Sequence, residues 1–142
     1  MSLLLGVAND AKLETLVMLL DHGAHVGATF DDTEHTTRGF TALHYAVYSC
    51  VETHLKDADP AYSGTARSDA DAVVRLLIAR GAPLDVQTRA LHTPRALVID
   101  AGSTPRDIAF ACNNADVSVA VAALIDDAMA TRDAARAALT GT

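Results

Sequence analysis

A short sequence pattern occurs twice in this 142-residue chain, and the interval between its two copies constrains the fold more than any other feature. The first copy is Thr-Ala-Leu-His-Tyr-Ala at residues 41–46, and the second is Thr-Pro-Arg-Asp-Ile-Ala at residues 104–109. A matching helix ending, Gly followed by Ala, occurs at Gly23 and at Gly81. These patterns are typical of helix-pair repeats of about 33 residues. Because the two copies stand 63 residues apart, the regular scaffold must contain insertions.

The chemistry of helix ends agrees with this pattern. Thr41 and Thr104 are predicted N-caps, because a threonine hydroxyl can accept a hydrogen bond from an N–H group of the first helical turn. Pro105 suits the first helical position, where its missing N–H is not needed. Gly23 and Gly81 follow apolar helices, where a left-handed residue commonly ends the helix. The sequence therefore predicts two helix starts at the threonines and two helix ends at the glycines.

These segments resemble the ankyrin repeat, and the resemblance covers nearly the whole chain. Half-matches to that repeat occur in order at residues 2–20, 38–46, 71–82 and 102–125, with Ala42 in place of a usual proline. The resemblance implies an all-α fold, a short α-solenoid of stacked helix-turn-helix repeats with finger loops. It also implies that His44 makes a structural hydrogen bond with the turn at Thr41.

A chain of this length is expected to form one domain, residues 1–142, with a core that is continuous only if the repeats stack. The resemblance implies three repeats at about residues 2–30, 39–88 and 101–130. A helical cap with a polar outer face is expected to follow, up to about residue 139. Such a domain would be a single ankyrin-repeat unit.

Counting against the usual spacing places the extra residues in three segments. We call residues 30–38 the first finger, residues 89–101 the second finger and residues 50–68 the inter-helix insertion. Long loops in compact domains are usually functional or disordered. Ankyrin geometry would place both fingers at one edge of the concave face and the insertion at the opposite edge, so the fingers are the better functional candidates. Two structural alternatives stay open: residues 51–56 could extend the preceding helix, and residues 97–99 could form a strand of a hairpin.

The resemblance implies protein–protein recognition through the concave helix face and the two fingers. The predicted contact residues are Phe30, Asp32, Glu34, His35, Arg38, Tyr45, Tyr48, Arg89, His92, Arg95 and Ile108. The alternative is a small-molecule-binding protein or an enzyme with a pocket between the fingers, where Glu34, His35 and His92 could transfer protons. A third possibility is that the fingers simply pair with each other, the acidic first against the basic second.

Composition excludes several classes of partner. A formal net charge of −7 without a block of Lys or Arg argues against a nucleic-acid partner. No apolar run is long enough to cross a bilayer, so no membrane partner is expected. Two cysteines are too few for a disulfide framework, which favours reduced thiols and a cytoplasmic, reducing location. The apolar residues Leu3, Leu4 and Leu5 would allow weak self-association through the N-terminal repeat.

The sequence contains no motif for catalysis and predicts no cofactor. It has no phosphate-binding glycine loop, nucleophile elbow or zinc-hydrolase helix motif, so an enzyme is the less favoured prediction. Six histidines raise the question of a metal, but His35, His54 and His92 are predicted in loops without metal-ligand spacing. A site made from His35, His92 and an acidic residue of the first finger is conceivable, yet the prediction is that no metal site is present.

Overall fold

A computed structural model describes residues 13–30, 38–57, 67–93, 97–112 and 114–139. Within these residues the fold is all-α, with isolated β-bridges but no extended strand. Five helices are described: α1 (Leu13–Asp21), α2 (Ala42–Asp57), α3 (Arg67–Ala79), α4 (Pro105–Ala109) and α5 (Ala115–Leu139). Residues 2–12 of the first half-match lie outside the described residues. None of the described helices combines the length and the apolar character that crossing a bilayer requires.

Helices α1 and α3 end in the same way. Gly23 and Ala24 each donate a backbone N–H to a carbonyl near the end of α1, and Gly81 and Ala82 make the corresponding bonds at the end of α3. Gly23 and Gly81 have φ angles of 89° and 86°. A left-handed residue that closes the last turn is the usual glycine helix ending, so both predicted helix ends are confirmed.

The two sequence signatures form similar turns before α2 and α4. In the second, Thr104 caps α4: its hydroxyl accepts the Asp107 N–H at 3.3 Å, and its N–H donates to the Asp107 carboxylate at 2.9 Å. In the first, the Thr41 N–H donates to the ring nitrogen Nδ1 of His44 at 3.0 Å. The side chain three residues after the threonine therefore accepts the threonine N–H in both turns. We call residues 39–44 the first turn and residues 102–107 the second turn.

Helix α2 lies at the centre of the fold, because it contacts α3, α4 and α5, while α1 contacts α3. The largest fully buried apolar side chains come from all five described helices, from the residue before Thr41 and from the second finger: Leu16, Phe40, Leu43, Val47, Leu77, Ile78, Leu97, Ile99, Ile108 and Ile125. Within the described residues, every buried side-chain nitrogen and oxygen has a hydrogen-bond partner. The predicted cap is the C-terminal part of α5, which runs without a break from Ala115 to Leu139.

Much of the inter-helix insertion is helical. Because α2 continues to Asp57 and α3 begins at Arg67, the chain remains helical well beyond Cys50. The proposed extension of the preceding helix through residues 51–56 is therefore confirmed. Residues 58–66 lie outside the described part of the chain.

Candidate functional site

The base of the first finger is closed by a pair of backbone hydrogen bonds. Phe30 donates its N–H to Phe40 at 2.8 Å and accepts the N–H of Gly39 at 2.6 Å. Gly39 has a φ of 86°, and a Cβ there would lie 3.1 Å from the backbone nitrogen of Arg89. The Arg89 N–H in turn donates to the carbonyl of Arg38 at 3.1 Å. A glycine at position 39 thus allows the bases of the two fingers to approach closely.

The base of the second finger repeats this closure. Thr88 donates its N–H to Ser103 at 2.9 Å and accepts the N–H of Gly102 at 2.7 Å. Further along the finger, His92 and Ile99 exchange two backbone hydrogen bonds of 2.8 Å each. These bonds form one isolated antiparallel bridge, so the described arms of the second finger pair as a short hairpin, without the regular strand that one alternative placed at residues 97–99.

The two faces of this hairpin differ in burial. Leu97 and Ile99 are buried in the core, while Leu91 and Val98 are 54% and 56% exposed. The Val98 N–H also donates to Ala111 at 2.9 Å, which fixes the hairpin against the end of α4. Since side chains alternate between the faces of an extended segment, Leu91 and Val98 lie on the outer face. Leu97 and Ile99 therefore belong to the core and not to the outer face.

An aromatic cluster lies where α2 meets the second finger. The Phe40 ring centroid lies 5.3 Å from that of His44, 5.0 Å from Tyr45 and 5.9 Å from His92. Tyr48 completes the cluster at 6.1 Å from His92. Centroid distances of this size are those of packed rings. Burial lowers the pKa of His92, which favours the neutral ring in this apolar surrounding.

His44 connects the two turns. Its Nδ1 accepts the Thr41 N–H, so its Nε2 carries the proton and donates to the Ser103 carbonyl at 3.1 Å. The side chain is fully buried. Burial lowers its pKa from the ordinary 6.5 to about 4, although the bond to Ser103 acts in the opposite direction. The structural hydrogen bond that the resemblance implied for His44 is confirmed, and a second bond joins it to the next turn.

The predicted contact residues fall into three groups. Phe30, Arg38, Tyr48, Arg89 and His92 are partly or largely accessible and lie at the finger bases or in the aromatic cluster. Asp32, Glu34, His35 and Arg95 lie outside the described residues.

Tyr45 and Ile108 require a correction. Both side chains are buried in the core, and Ile108 is fully so. Their predicted role as contacts on an open helix face therefore does not fit this structure, because each faces neighbouring elements rather than solvent. Ile108 points inward from α4, and Tyr45 packs against Phe40. These two residues stabilise the scaffold.

A cluster of metal-ligand types occurs where α2 and α3 meet. Cys50 and His54 are four residues apart on α2, and Asp71 lies on α3. The Cys50 Sγ lies 3.1 Å, and the His54 Nε2 2.8 Å, from the same Asp71 oxygen, Oδ1. One potential ligand atom from each residue lies within 4.8 Å of the other two. The thiol and the imidazole thus both donate to one carboxylate.

The Asp71 carboxylate is held in its ionised form. Burial acts to raise its pKa, but the hydrogen bonds from His54 and Cys50, together with the charges of His54 and Arg75, lower it below its usual value. His54 is 9% exposed and Asp71 is 21% exposed. A negatively charged oxygen therefore lies at the centre of a largely buried cluster.

This cluster forms part of the wall of a cavity. A cavity of about 360 Å³ is lined by His54, Asp71 and Arg75 on one side and by α5 on the other, with Ala120, Ala123, Leu124 and Asp127. The small side chains of Ala120 and Ala123 lie on the α5 side of this space, opposite α2 and α3. A second cavity of about 450 Å³ lies further along α3 and α5, near Arg75 and Arg136.

Prediction from the sequence missed this cluster. His54 was expected in a loop without ligand spacing, which is wrong, because it lies inside α2 one turn after Cys50. The available signal was the Cys-x-x-x-His spacing at residues 50–54, which places both side chains on one face of a helix. Asp71 could be found only from the way α3 packs against α2.

Searches of protein-family models, curated proteins and solved structures give no match to this chain.

Proposed function

We propose that this chain is a three-repeat ankyrin-type α-solenoid that recognises a protein partner through its two fingers. The recurrence of local geometry along the chain supports the repeat. Gly39 and Gly102 both have positive φ, and both stand two residues before a helix-starting threonine. Helices α1 and α3 share the same glycine ending, and each finger is closed by the same pair of backbone bonds. A repeat with stacked units would produce these equivalences.

The outer face of the second finger is the observation that carries the proposed function. Leu91 and Val98 expose about half of their apolar surface there, while Leu97 and Ile99 fix the same hairpin from below. A binding surface on a rigid support loses less conformational entropy when a partner binds. The contact between Arg89 and Arg38 also fixes the bases of the two fingers side by side. The bases of the two fingers would thus be held in a fixed arrangement when a partner binds.

The chemistry of the fingers indicates the kind of partner. The first finger contains Asp31, Asp32 and Glu34, and the whole chain has a net charge of −7. The second finger adds the exposed pair Leu91 and Val98. A partner with an apolar patch facing Leu91 and Val98 and basic groups facing the acidic first finger would complement this surface, because charge complementarity promotes encounter and excludes wrong partners.

The packing of the aromatic cluster favours protein recognition over a small-molecule pocket between the fingers. His92, one of the residues expected to line such a pocket, lies 5.9 Å from Phe40 and 6.1 Å from Tyr48 by ring centroid. His92 therefore packs within the aromatic cluster, which leaves less of its ring available to a ligand.

A capture experiment with matched surface variants tests the proposal. The double variant Leu91→Ser/Val98→Ser removes the apolar outer face, and Val119→Ser removes an equally exposed apolar side chain (63%) on α5. Surface changes of this kind usually alter stability by less than about 0.5 kcal/mol. We expect the wild type and Val119→Ser to capture the same proteins from a lysate of the source cells, as identified by mass spectrometry. The double variant should lose at least one partner that a purified binding assay then verifies.

Two results would count against protein recognition by the fingers. One is capture of the same proteins, with the same measured affinity, by the double variant. The other is loss of the partner by Val119→Ser alone, which would move the contact surface to α5. Thermal unfolding of each variant shows that a loss of binding does not come from a loss of fold.

A further inference from the structure

We infer that Cys50, His54 and Asp71 form a binding site for a zinc-type divalent cation. Thiolate, imidazole and carboxylate are the three ligand types that proteins use for Zn²⁺. A set containing sulfur and nitrogen favours zinc over magnesium or calcium, which prefer oxygen ligands. The site is separate from the proposed function, because it lies at the opposite end of α2 from the first turn.

The arrangement of the ligand atoms is close to what one ion requires. In a tetrahedral zinc site, bond lengths of 2.0–2.3 Å place neighbouring ligand atoms about 3.3–3.5 Å apart. The Asp71 Oδ1 lies 3.1 Å from the Cys50 Sγ and 2.8 Å from the His54 Nε2. For these two pairs, entry of the ion requires a separation of about half an ångström, which side-chain rotation can provide. The Cys50 Sγ and the His54 Nε2 lie within 4.8 Å of each other.

The ion would take the place of the protons that now join the three side chains. Cys50 loses its thiol proton to solvent and binds as thiolate. His54 binds through Nε2, so the proton on that nitrogen moves to Nδ1, or leaves if the ring carries two protons. Asp71 already carries its negative charge. Two negative ligands and one neutral ligand then balance the two positive charges of the ion, with release of at least one proton to solvent.

The surroundings leave a fourth position open. His54 and Asp71 line the 360 Å³ cavity opposite α5, where Ala120 and Ala123 present small side chains. Three protein ligands with an open position are typical of zinc sites that bind water or a small ligand. Asp127 also lines this cavity and supplies a further carboxylate near the open side.

A cysteine nucleophile fits these residues less well. The Cys50 side chain is fully buried, so a substrate cannot reach its sulfur. The imidazole of His54 donates to Asp71 instead of accepting the thiol proton, which a general base for cysteine would do. Coordination needs only entry of an ion through the cavity and no access for a large substrate.

Titration of the reduced full-length chain, without a histidine tag, tests the site. We expect one Zn²⁺ to bind per chain in competition with a chromophoric chelator, and binding should raise the thermal unfolding midpoint. Co²⁺ in place of Zn²⁺ should give a thiolate-to-metal charge-transfer absorption. Three variants each remove one ligand but keep a hydrogen-bonding group: Cys50→Ser, His54→Gln and Asp71→Asn. Loss of an outer-shell partner weakens metal binding by about 10-fold to 100-fold, so loss of a direct ligand should weaken it by at least that much.

Two matched variants make the test specific. Cys112→Ser removes the other cysteine, which bonds to Ser118 at 3.3 Å and lies outside the cluster, so affinity and the Co²⁺ absorption should be unchanged. Arg75→Gln removes a positive charge that acts on Asp71 and should tighten binding, a gain that partial unfolding cannot produce. The site is refuted if folded wild-type protein binds neither ion, or if the affinity and the charge-transfer band survive Cys50→Ser.

Discussion

The first turn (residues 39–44) and the second turn (residues 102–107) make the same local hydrogen bonds in very different surroundings. In both, a threonine N–H donates to the side chain three residues later, at 3.0 Å in the first turn and 2.9 Å in the second. Thr41 and His44 are fully buried, whereas Asp107 is exposed. Loss of the same hydrogen bond should therefore lower the free energy of unfolding by different amounts in the two turns.

Histidine adds a function that aspartate lacks. Both side chains accept the N–H of the preceding threonine, but His44 has a second nitrogen that donates to Ser103. Asp107 only closes its own turn. The same signature position therefore has two roles. Asp107 caps a helix at an exposed turn, whereas His44 completes its own turn and also joins it to the second turn inside the core. Three predictions test this difference, from the largest effect to the smallest.

Removal of the His44 ring should have the largest effect. His44→Ala leaves the buried Thr41 N–H without its acceptor and opens a cavity beneath Phe40. We expect a loss of about 3–5 kcal/mol in the free energy of unfolding. Asp107→Ala is the matched variant in the second turn and should cost about 1 kcal/mol. Urea unfolding measures both.

Equal losses in these two variants would contradict the comparison. If His44→Ala does not fold, His44→Gln provides the measurement instead. A glutamine can retain one of the two hydrogen bonds of His44, so its loss should lie between those of the two alanine variants.

A methyl group at each turn glycine should have the next largest effect. A residue with a side chain at positive φ costs about 1–2 kcal/mol, so Gly102→Ala should lose that amount, because nothing lies within 4 Å of its added Cβ. Gly39→Ala should lose about 2–4 kcal/mol. Its Cβ would lie 3.0 Å from the Arg89 Cγ and 3.3 Å from the Gln87 carbonyl. Thermal unfolding of the two variants provides the test, and a larger loss at Gly102 would show that the finger bases do not approach as described.

Mild acid should destabilise the protein through the first turn. The folded state holds His44 at a pKa of about 4, below its ordinary 6.5. The unfolded chain therefore binds more protons, and this contribution to stability is lost as the pH falls from 6.5 towards 4. At pH 5 the loss should be about 2 kcal/mol relative to pH 7. The lowered pKa of His92 adds a change of the same sign.

The lowered pKa of Asp71 keeps that carboxylate ionised at pH 5. His44→Gln should therefore show a much smaller loss of stability between pH 7 and pH 5, as measured by urea unfolding. An unchanged pH dependence in this variant would mean that other groups cause it.

The sequence was sufficient for those features that depend on neighbouring residues. The positions of Thr104 and Gly81 predicted a helix start and a helix end, because a hydroxyl cap and a left-handed glycine act within one turn. Residues 51–56 could either belong to a loop or extend the preceding helix, because they contain no clear stop signal. The structure shows that they extend α2. Local chemistry alone left that choice open.

Features that depend on packing between distant segments were not predictable. Ile108 was expected at a surface, yet the orientation of α4 against α2 turns it into the core. Leu97 and Ile99 became core residues because the second finger folds back onto the end of α4. Asp71 joins Cys50 and His54 only through the contact between α3 and α2. Residue spacing and composition do not predict how these helices and the second finger pack against one another.

The bond from His44 to Ser103 also has a consequence for the folding cooperativity of the chain. It spans 59 residues and starts from a side chain that also completes the first turn. If the segment around Ser103 detaches, the Nε2 proton of His44 loses its acceptor inside the core. Detachment of the second turn is thereby coupled to loss of order in the buried first turn. One imidazole thereby helps to make the unfolding of the two turns a joint event.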